Sequence, residues 1–192
     1  MSINLVDAIQ ENLGLPVLQK IDPNTQEVKK PDGISSSDYI GQAAIPTVLL
    51  GLYKYSRTPE GNVAILDGEL SAKLLDSIFG ESKASVIEKI ASYTNNSIDY
   101  STRQMESIAR EAVHIIRLNL NGNTTDNSVT GFLSDQRSNI LKCLPAGLQI
   151  GEHLQDNTMD DRTNKMEGPM SGVMHWVEKL FSTPDRKKDE NF

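Results

Sequence analysis

The chain of 192 residues has one cysteine, few aromatic residues and no long apolar run. A single cysteine, Cys143, excludes an intramolecular disulfide and a zinc cluster built from several thiolates. No apolar stretch reaches the roughly 20 residues that a membrane-spanning helix needs, so we expect no transmembrane segment. The first residues lack the basic and apolar segments of a secretory signal peptide, so we expect a cytoplasmic protein.

Sequence motifs of enzymes and of metal sites are also missing. The chain has no phosphate-binding glycine loop, no G-x-S-x-G elbow and no HExxH pair. Its three histidines, His114, His153 and His175, are far apart in the sequence, and the acidic residues 156–167 lack the spacing of a calcium-binding EF-hand loop. The sequence therefore predicts no catalytic residue, no cofactor and no metal ligand.

Charge and composition narrow the class of protein. The net charge of −7 argues against a general nucleic-acid or anionic-membrane surface. With 38% hydrophobic and only 5% aromatic residues, the core must be mostly aliphatic. A chain of this length can bury its core as one domain or as two closely packed halves.

Apolar residues recur at helical spacing in residues 74–120. Two groups of four each lie on one side of a helix: Leu74, Leu75, Ile78 and Phe79, then Val86, Ile87, Ile90 and Ala91. After the polar turn 94–97, a long helix has the inner face Met105, Ile108, Ala109, Ala112, Ile115, Ile116 and Leu120. We expect Ser82 or Ser85 to cap the second of these helices, and Asp99 or Ser101 to cap the long one.

The start of the chain resembles this stretch. Residues 5–22 align without a gap with residues 74–91, and six of the 18 pairs are identical. The first helix should start at Ser2 or Asn4 and end near Gly14, and a second should start at Pro16. We also expect a kink or break at Pro46 and an interruption at Pro145.

The pattern predicts an all-α, multihelical array of two related three-helix units plus a C-terminal helical section. The units span about residues 4–56 and 73–120, and the third section spans residues 128–181. We expect residues 1–181 to form one compact domain, followed by a disordered charged tail, 182–192.

Three runs resemble the bacterial YidB-like proteins, a family of multihelical domains with no settled activity. They are IPTVLLGLYKYSRTPEGNVAIL, LLDSIFGESKASVIEKIA and AREAVHIIRLNL. The most specific pieces are residues 78–80 and the turn 58–61. The chain departs from the family at Arg110 and Glu111, where an Ala-Pro pair is common, and its ends are not glycine-rich. The resemblance implies a bacterial protein and carries no catalytic residue over.

Several residues are candidates for interaction. Residues 86–108 resemble a helix-turn-helix in which Arg103 would read DNA, but the same pattern is typical of an ordinary helical hairpin, and nearby acidic residues would repel phosphates. We therefore expect no specific nucleic-acid partner. The amphipathic segment 170–181 either docks on the bundle or presents Trp176 and Phe181 to a partner.

The leading hypothesis is a non-enzymatic interaction or scaffold protein with a protein partner. The alternative is a small-ligand binder or enzyme with a pocket between the two units, and convergence of His114, Arg110 or Glu111 in that pocket would favour it. Because His114 alternates with core residues, we expect it to be a half-buried structural residue and not a zinc ligand. The sequence leaves the partner and the oligomeric state open.

Overall fold

The described part of the chain consists of helices joined by non-helical segments and contains no strand, which confirms the predicted all-α class. The computed structural model describes residues 3–22, 28, 39–67, 74–120, 128–148 and 150. Its α-helices are α1 Leu5–Leu13, α2 Ile40–Ser56, α3 Pro59–Asp67, α4 Leu74–Phe79, α5 Lys83–Thr94, α6 Ile98–Leu120, α7 Ser128–Asp135 and α8 Arg137–Leu141. Short 3-10 turns follow at Gly80–Ser82 and Ala146–Leu148. Among these elements, none combines the length and the apolar character that crossing a membrane requires.

Helix α2 lies at the centre of the bundle. Of its 17 residues, 15 are buried, so it has almost no polar face to offer to water. A helix that is apolar on all sides must be enclosed by other elements. The other described α-helices all pack against α2, and α6 makes the most extensive contact with it. One continuous apolar cluster therefore joins residues from Leu5 to Ile150.

The inner face of α6 is confirmed. Met105, Ile108, Ala109, Ala112, Ile115 and Ile116 are buried, whereas Leu120 at the end of the helix is half-buried. Ser97, and not Asp99 or Ser101, caps this helix, because its Oγ accepts a hydrogen bond from Tyr100 N at 3.2 Å. Ser82 makes no capping bond to α5, and the Ser85 hydroxyl donates to Ser82 O instead.

The two prolines expected to disturb helices differ in effect. Helix α2 continues through Pro46 without a break. Just after it, Thr47 Oγ1 donates to Ala43 O at 2.8 Å, which adds a bond within the turn that the proline weakens. At Pro145 the expected interruption is present, because α8 ends at Leu141 and a 3-10 turn begins at Ala146.

The prediction that a second helix starts at Pro16 is wrong, because residues 15–22 are not helical. Helix α1 does begin with a cap from Asn4, whose Oδ1 accepts from Val6 N, and it ends at Gly14 with φ 62°. Beyond Gly14, the residue before a proline is biased toward extended backbone. Helices α1 and α4 thus begin at aligned positions, but the next segment is helical only in the second unit. The two-unit layout itself stays a prediction.

Buried glutamines hold this non-helical segment. Gln10 Oε1 accepts from Leu18 N at 2.7 Å, and Gln42 Oε1 accepts from Gln19 N at 2.7 Å. Gln42 Nε2 also donates to Gln19 O at 3.1 Å and to Cys143 O at 2.7 Å. These bonds replace the intrahelical partners that the backbone would otherwise need. The segment 170–181 and the tail 182–192 lie outside the described residues.

The crossing of α2 and α4 depends on Gly51. A Cβ at this position would lie 2.6 Å from Ile78 Cγ2 and 2.6 Å from Phe79 Cε1. We expect Gly51→Ala to lower the free energy of unfolding by ~1–3 kcal/mol, because two packed side chains must move. Gly131→Ala, in α7 with nothing within 4 Å of the new methyl, should instead raise it by ~0.5–1 kcal/mol. Urea denaturation of both variants tests this, and equal stabilities would contradict it.

We expect the side chain of Gln42 to contribute strongly to the stability of the fold. Gln42→Ala removes three hydrogen bonds at a buried position. The free energy of unfolding should fall by ~3 kcal/mol or more, since each buried group left without a partner costs ~1–3 kcal/mol. Gln19→Ala is the matched control, because Gln19 takes part through its backbone N and O only and is exposed. Thermal and urea unfolding should show the control within error of the parent chain.

Candidate functional site

The outward surface of α6 carries a row of arginines. Arg103, Arg110 and Arg117 are exposed and lie seven residues apart. Seven residues make almost two turns, so the three side chains project from one side of the helix at intervals of ~10.5 Å. Ser107 and His114 lie between them on the same side. We call these five residues, Arg103, Ser107, Arg110, His114 and Arg117, the arginine face.

Two carboxylates lie between the arginines in the sequence, and both point away from the arginine face toward neighbouring helices. Glu106 Oε1 accepts from Leu75 N at 3.5 Å, on the α4 side, and the Glu106 side chain is only 18% exposed. Glu111 Oε1 accepts from Asn12 Nδ2 at 2.7 Å, on the α1 side. Both carboxylates therefore turn toward neighbouring helices, while the guanidinium groups project into solvent. Asp99, one turn before Arg103, marks the N-terminal end of the row.

The arginines are weakly engaged by the rest of the described chain. Arg110 Nη2 lies 3.9 Å from Glu106 Oε2, and the Arg110 side chain is 66% exposed. Such a long, exposed contact contributes little to stability. Within the described residues, no ion pair involves Arg103 or Arg117. Three guanidinium groups on one helix are thus available to an outside carboxylate or phosphate.

His114 is not the half-buried structural residue that the sequence predicts, because it is exposed. Its neighbours Val113 and Ile115 are buried, but the helical turn places His114 between Arg110 and Arg117 on the outer side. Arg110, Glu111 and His114 also do not converge, as they would in the pocket of the alternative hypothesis. Arg110 and His114 face solvent, and Glu111 is bonded to Asn12.

The structure brings together Arg103, Arg110 and His114, which the sequence suggested for unrelated reasons. The sequence reading missed Ser107 and Arg117, although the seven-residue spacing of the arginines is visible in the sequence. Trp176 and Phe181 lie outside the described residues. In the described ranges, no group of three or more His, Cys, Asp or Glu side chains could hold a metal ion.

The thiol of Cys143 is not arranged for nucleophilic chemistry. It is buried, and burial raises its pKa, with Asp7 adding to the effect while Lys20 and Lys142 oppose it. A raised pKa leaves less thiolate at neutral pH, and the thiolate is the reactive form.

Comparison with known proteins gives no relative: no protein family matches the chain, and no curated protein or solved structure is significantly similar to it. The fold and the surface described above are therefore the basis for assigning a role.

We expect Cys143 to be protected from alkylation. Iodoacetamide at mildly alkaline pH should modify the folded protein at least roughly tenfold more slowly than the urea-unfolded protein, since the folded state disfavours the thiolate. Glutathione in each solvent serves as the control for intrinsic reactivity. Burial raises the pKa of the Cys143 thiol in the folded state. The stabilisation that comes from keeping this thiol neutral is therefore present below the ordinary thiol pKa and is lost as the pH rises through the folded value. Equal rates in both states would refute the burial argument.

Proposed function

We propose that this chain is a non-enzymatic interaction protein of the bacterial cytoplasm that binds a protein partner through the arginine face of α6. The observation that carries the proposal is the row of three exposed arginines whose neighbouring carboxylates are turned aside. Arginine is the cation best suited to forming paired hydrogen bonds with carboxylates. The bacterial origin in this proposal rests only on the sequence resemblance of three runs to YidB-like proteins.

The alternative of a ligand pocket between the two units has less support. Its expected residues Arg110 and His114 are on the outer surface. The described region also offers no reactive thiol, because Cys143 is buried with a raised pKa. An enzyme or small-ligand site would need other residues than those that the sequence suggested.

Recognition of DNA by α5 and α6 is also less well supported. In a helix-turn-helix, the N-terminal residues of the second helix contact the bases. In α6 the first turn carries the exposed carboxylate of Asp99 instead of a cation. The net charge of −7 adds a repulsion that three arginines only partly offset. We therefore propose no specific nucleic-acid partner.

Site-specific photo-crosslinking tests the proposal. A photoreactive amino acid replaces Ser107 within the arginine face, or Ser92 on the exposed side of α5 as the control. We expect a defined protein adduct from position 107 and not from position 92, identified by mass spectrometry in cells expressing the protein. The adduct should disappear when Arg103, Arg110 and Arg117 are all changed to Glu. Adducts that are equal at both positions, or unaffected by the charge reversal, would argue against a binding role for this face.

A further inference from the structure

We infer that the partner segment is an acidic α-helix that packs along α6 with a carboxylate at every seventh residue. This inference rests on the proposed function and specifies the chemistry of the partner. It follows from the spacing of the arginine face, from the position of the carboxylates beside it and from the side chains between the arginines.

The spacing of the arginines matches that of carboxylates seven residues apart on a second helix. Arg103, Arg110 and Arg117 span ~21 Å in two equal steps of ~10.5 Å. Glutamates seven residues apart on a second, nearly parallel or antiparallel helix have the same interval. All three ion pairs can therefore form at once if the two helices coil slightly around each other, which offsets the drift of ~20° per seven residues on a straight helix. Each guanidinium can donate two parallel hydrogen bonds to one carboxylate, which favours discrete carboxylates over a diffuse negative surface.

The residues between the arginines complete a pattern with the spacing of a helix–helix contact. On α6 the side chains of Tyr100, Arg103, Ser107, Arg110, His114 and Arg117 alternate at intervals of three and four residues. This alternation is the period at which one helix contacts another along a seam. The uncharged members, Tyr100 and Ser107, are half-buried and lie seven residues apart, and the exposed apolar side chain of Leu118 lies near the far end of the helix. A neighbouring helix can thus gain both side-chain packing and ion pairs.

The carboxylates beside the arginine face favour an acidic helix over a nucleic acid as its partner. Phosphates on each strand of duplex DNA follow one another every ~3.4 Å along the axis, so a polyanion presents negative charge continuously. Such a chain would pass close to Glu106 and Glu111, which flank the row, and to Asp99 at its end. A helix with one carboxylate every two turns avoids these residues and meets only the arginines. Asp99 would favour a cation at the corresponding end of the partner helix.

Designed peptides test the inference on the full chain. The probe is a helical, fluorescently labelled peptide with three glutamates seven residues apart in an otherwise uncharged alanine-glutamine background. The matched control peptide has the same composition with glutamates five residues apart, which places them on different sides of the helix. Fluorescence anisotropy at low ionic strength should give at least roughly tenfold tighter binding of the first peptide, since three aligned exposed ion pairs together supply about that factor. Added salt should weaken it.

Charge-reversed variants assign the binding to the arginine face. R103E/R110E/R117E should lose the affinity for the acidic peptide and gain affinity for the same peptide with lysines in place of the glutamates. Circular dichroism and thermal unfolding of the variant show whether it is folded. K20E/K89E/K142E changes the net charge by the same amount at other positions, and it should keep most of the binding. If the triple arginine variant is unfolded, Arg110→Gln provides the milder test with a smaller loss of affinity.

Several results would overturn the inference. Equal affinity for the two acidic peptides, or tighter binding of duplex DNA than of either peptide, would rule out an acidic helix with this spacing. A dimer in sedimentation experiments that R103E/R110E/R117E dissociates would assign the face to a second copy of this chain. If peptides fail while the crosslink at position 107 still depends on the arginines, the face binds a partner of another chemistry and only this inference falls. Failure of both experiments removes the proposed function as well.

Discussion

The burial of α2 on all sides is the constraint on which the rest of the structure depends. A helix with 15 of 17 residues buried can exist in water only inside a shell of other helices. All the other described α-helices pack on α2, and Gly51 lets the side chains of Ile78 and Phe79 from α4 pack directly against its backbone. Because the central helix is fully used for packing, any surface for binding must come from the outer sides of its neighbours.

Enclosing α2 also requires partners for polar groups inside the shell, and glutamine side chains provide them. Gln42 ties residue 19 and the turn at Cys143 to α2. Gln136 does the same for the start of the chain, since its Oε1 accepts from Leu5 N at 2.9 Å and its Nε2 donates to Ile3 O at 3.0 Å. A primary amide has both a donor and an acceptor, so one side chain can satisfy a backbone N–H and a backbone C=O at the same time. These contacts join segments that are distant in sequence.

The same long-range contacts explain which features the sequence could predict. The inner face of α6 follows from local periodicity, and so does the spacing of Arg103, Arg110 and Arg117. Residues 15–22 match a helical segment of the second unit in sequence, but their conformation depends on the side chain of Gln42 and the carbonyl of Lys142, which accepts from Ile21 N at 2.8 Å. The orientation of Glu111 depends likewise on Asn12. Local pattern contains no information about such partners.

In α6 the residues that pack in the core lie on the inner side, and the residues proposed for binding lie on the outer side. Its inner side packs on α2 and is apolar except for Ser101, whereas its outer side has no packing role that would require arginine. Like charges seven residues apart add nothing to the stability of a helix, and only Arg110 has a carboxylate one turn away at ion-pair distance. Any polar residue would keep the outer side soluble. The fold does not require three arginines on one line, and we propose that an external anion accounts for them.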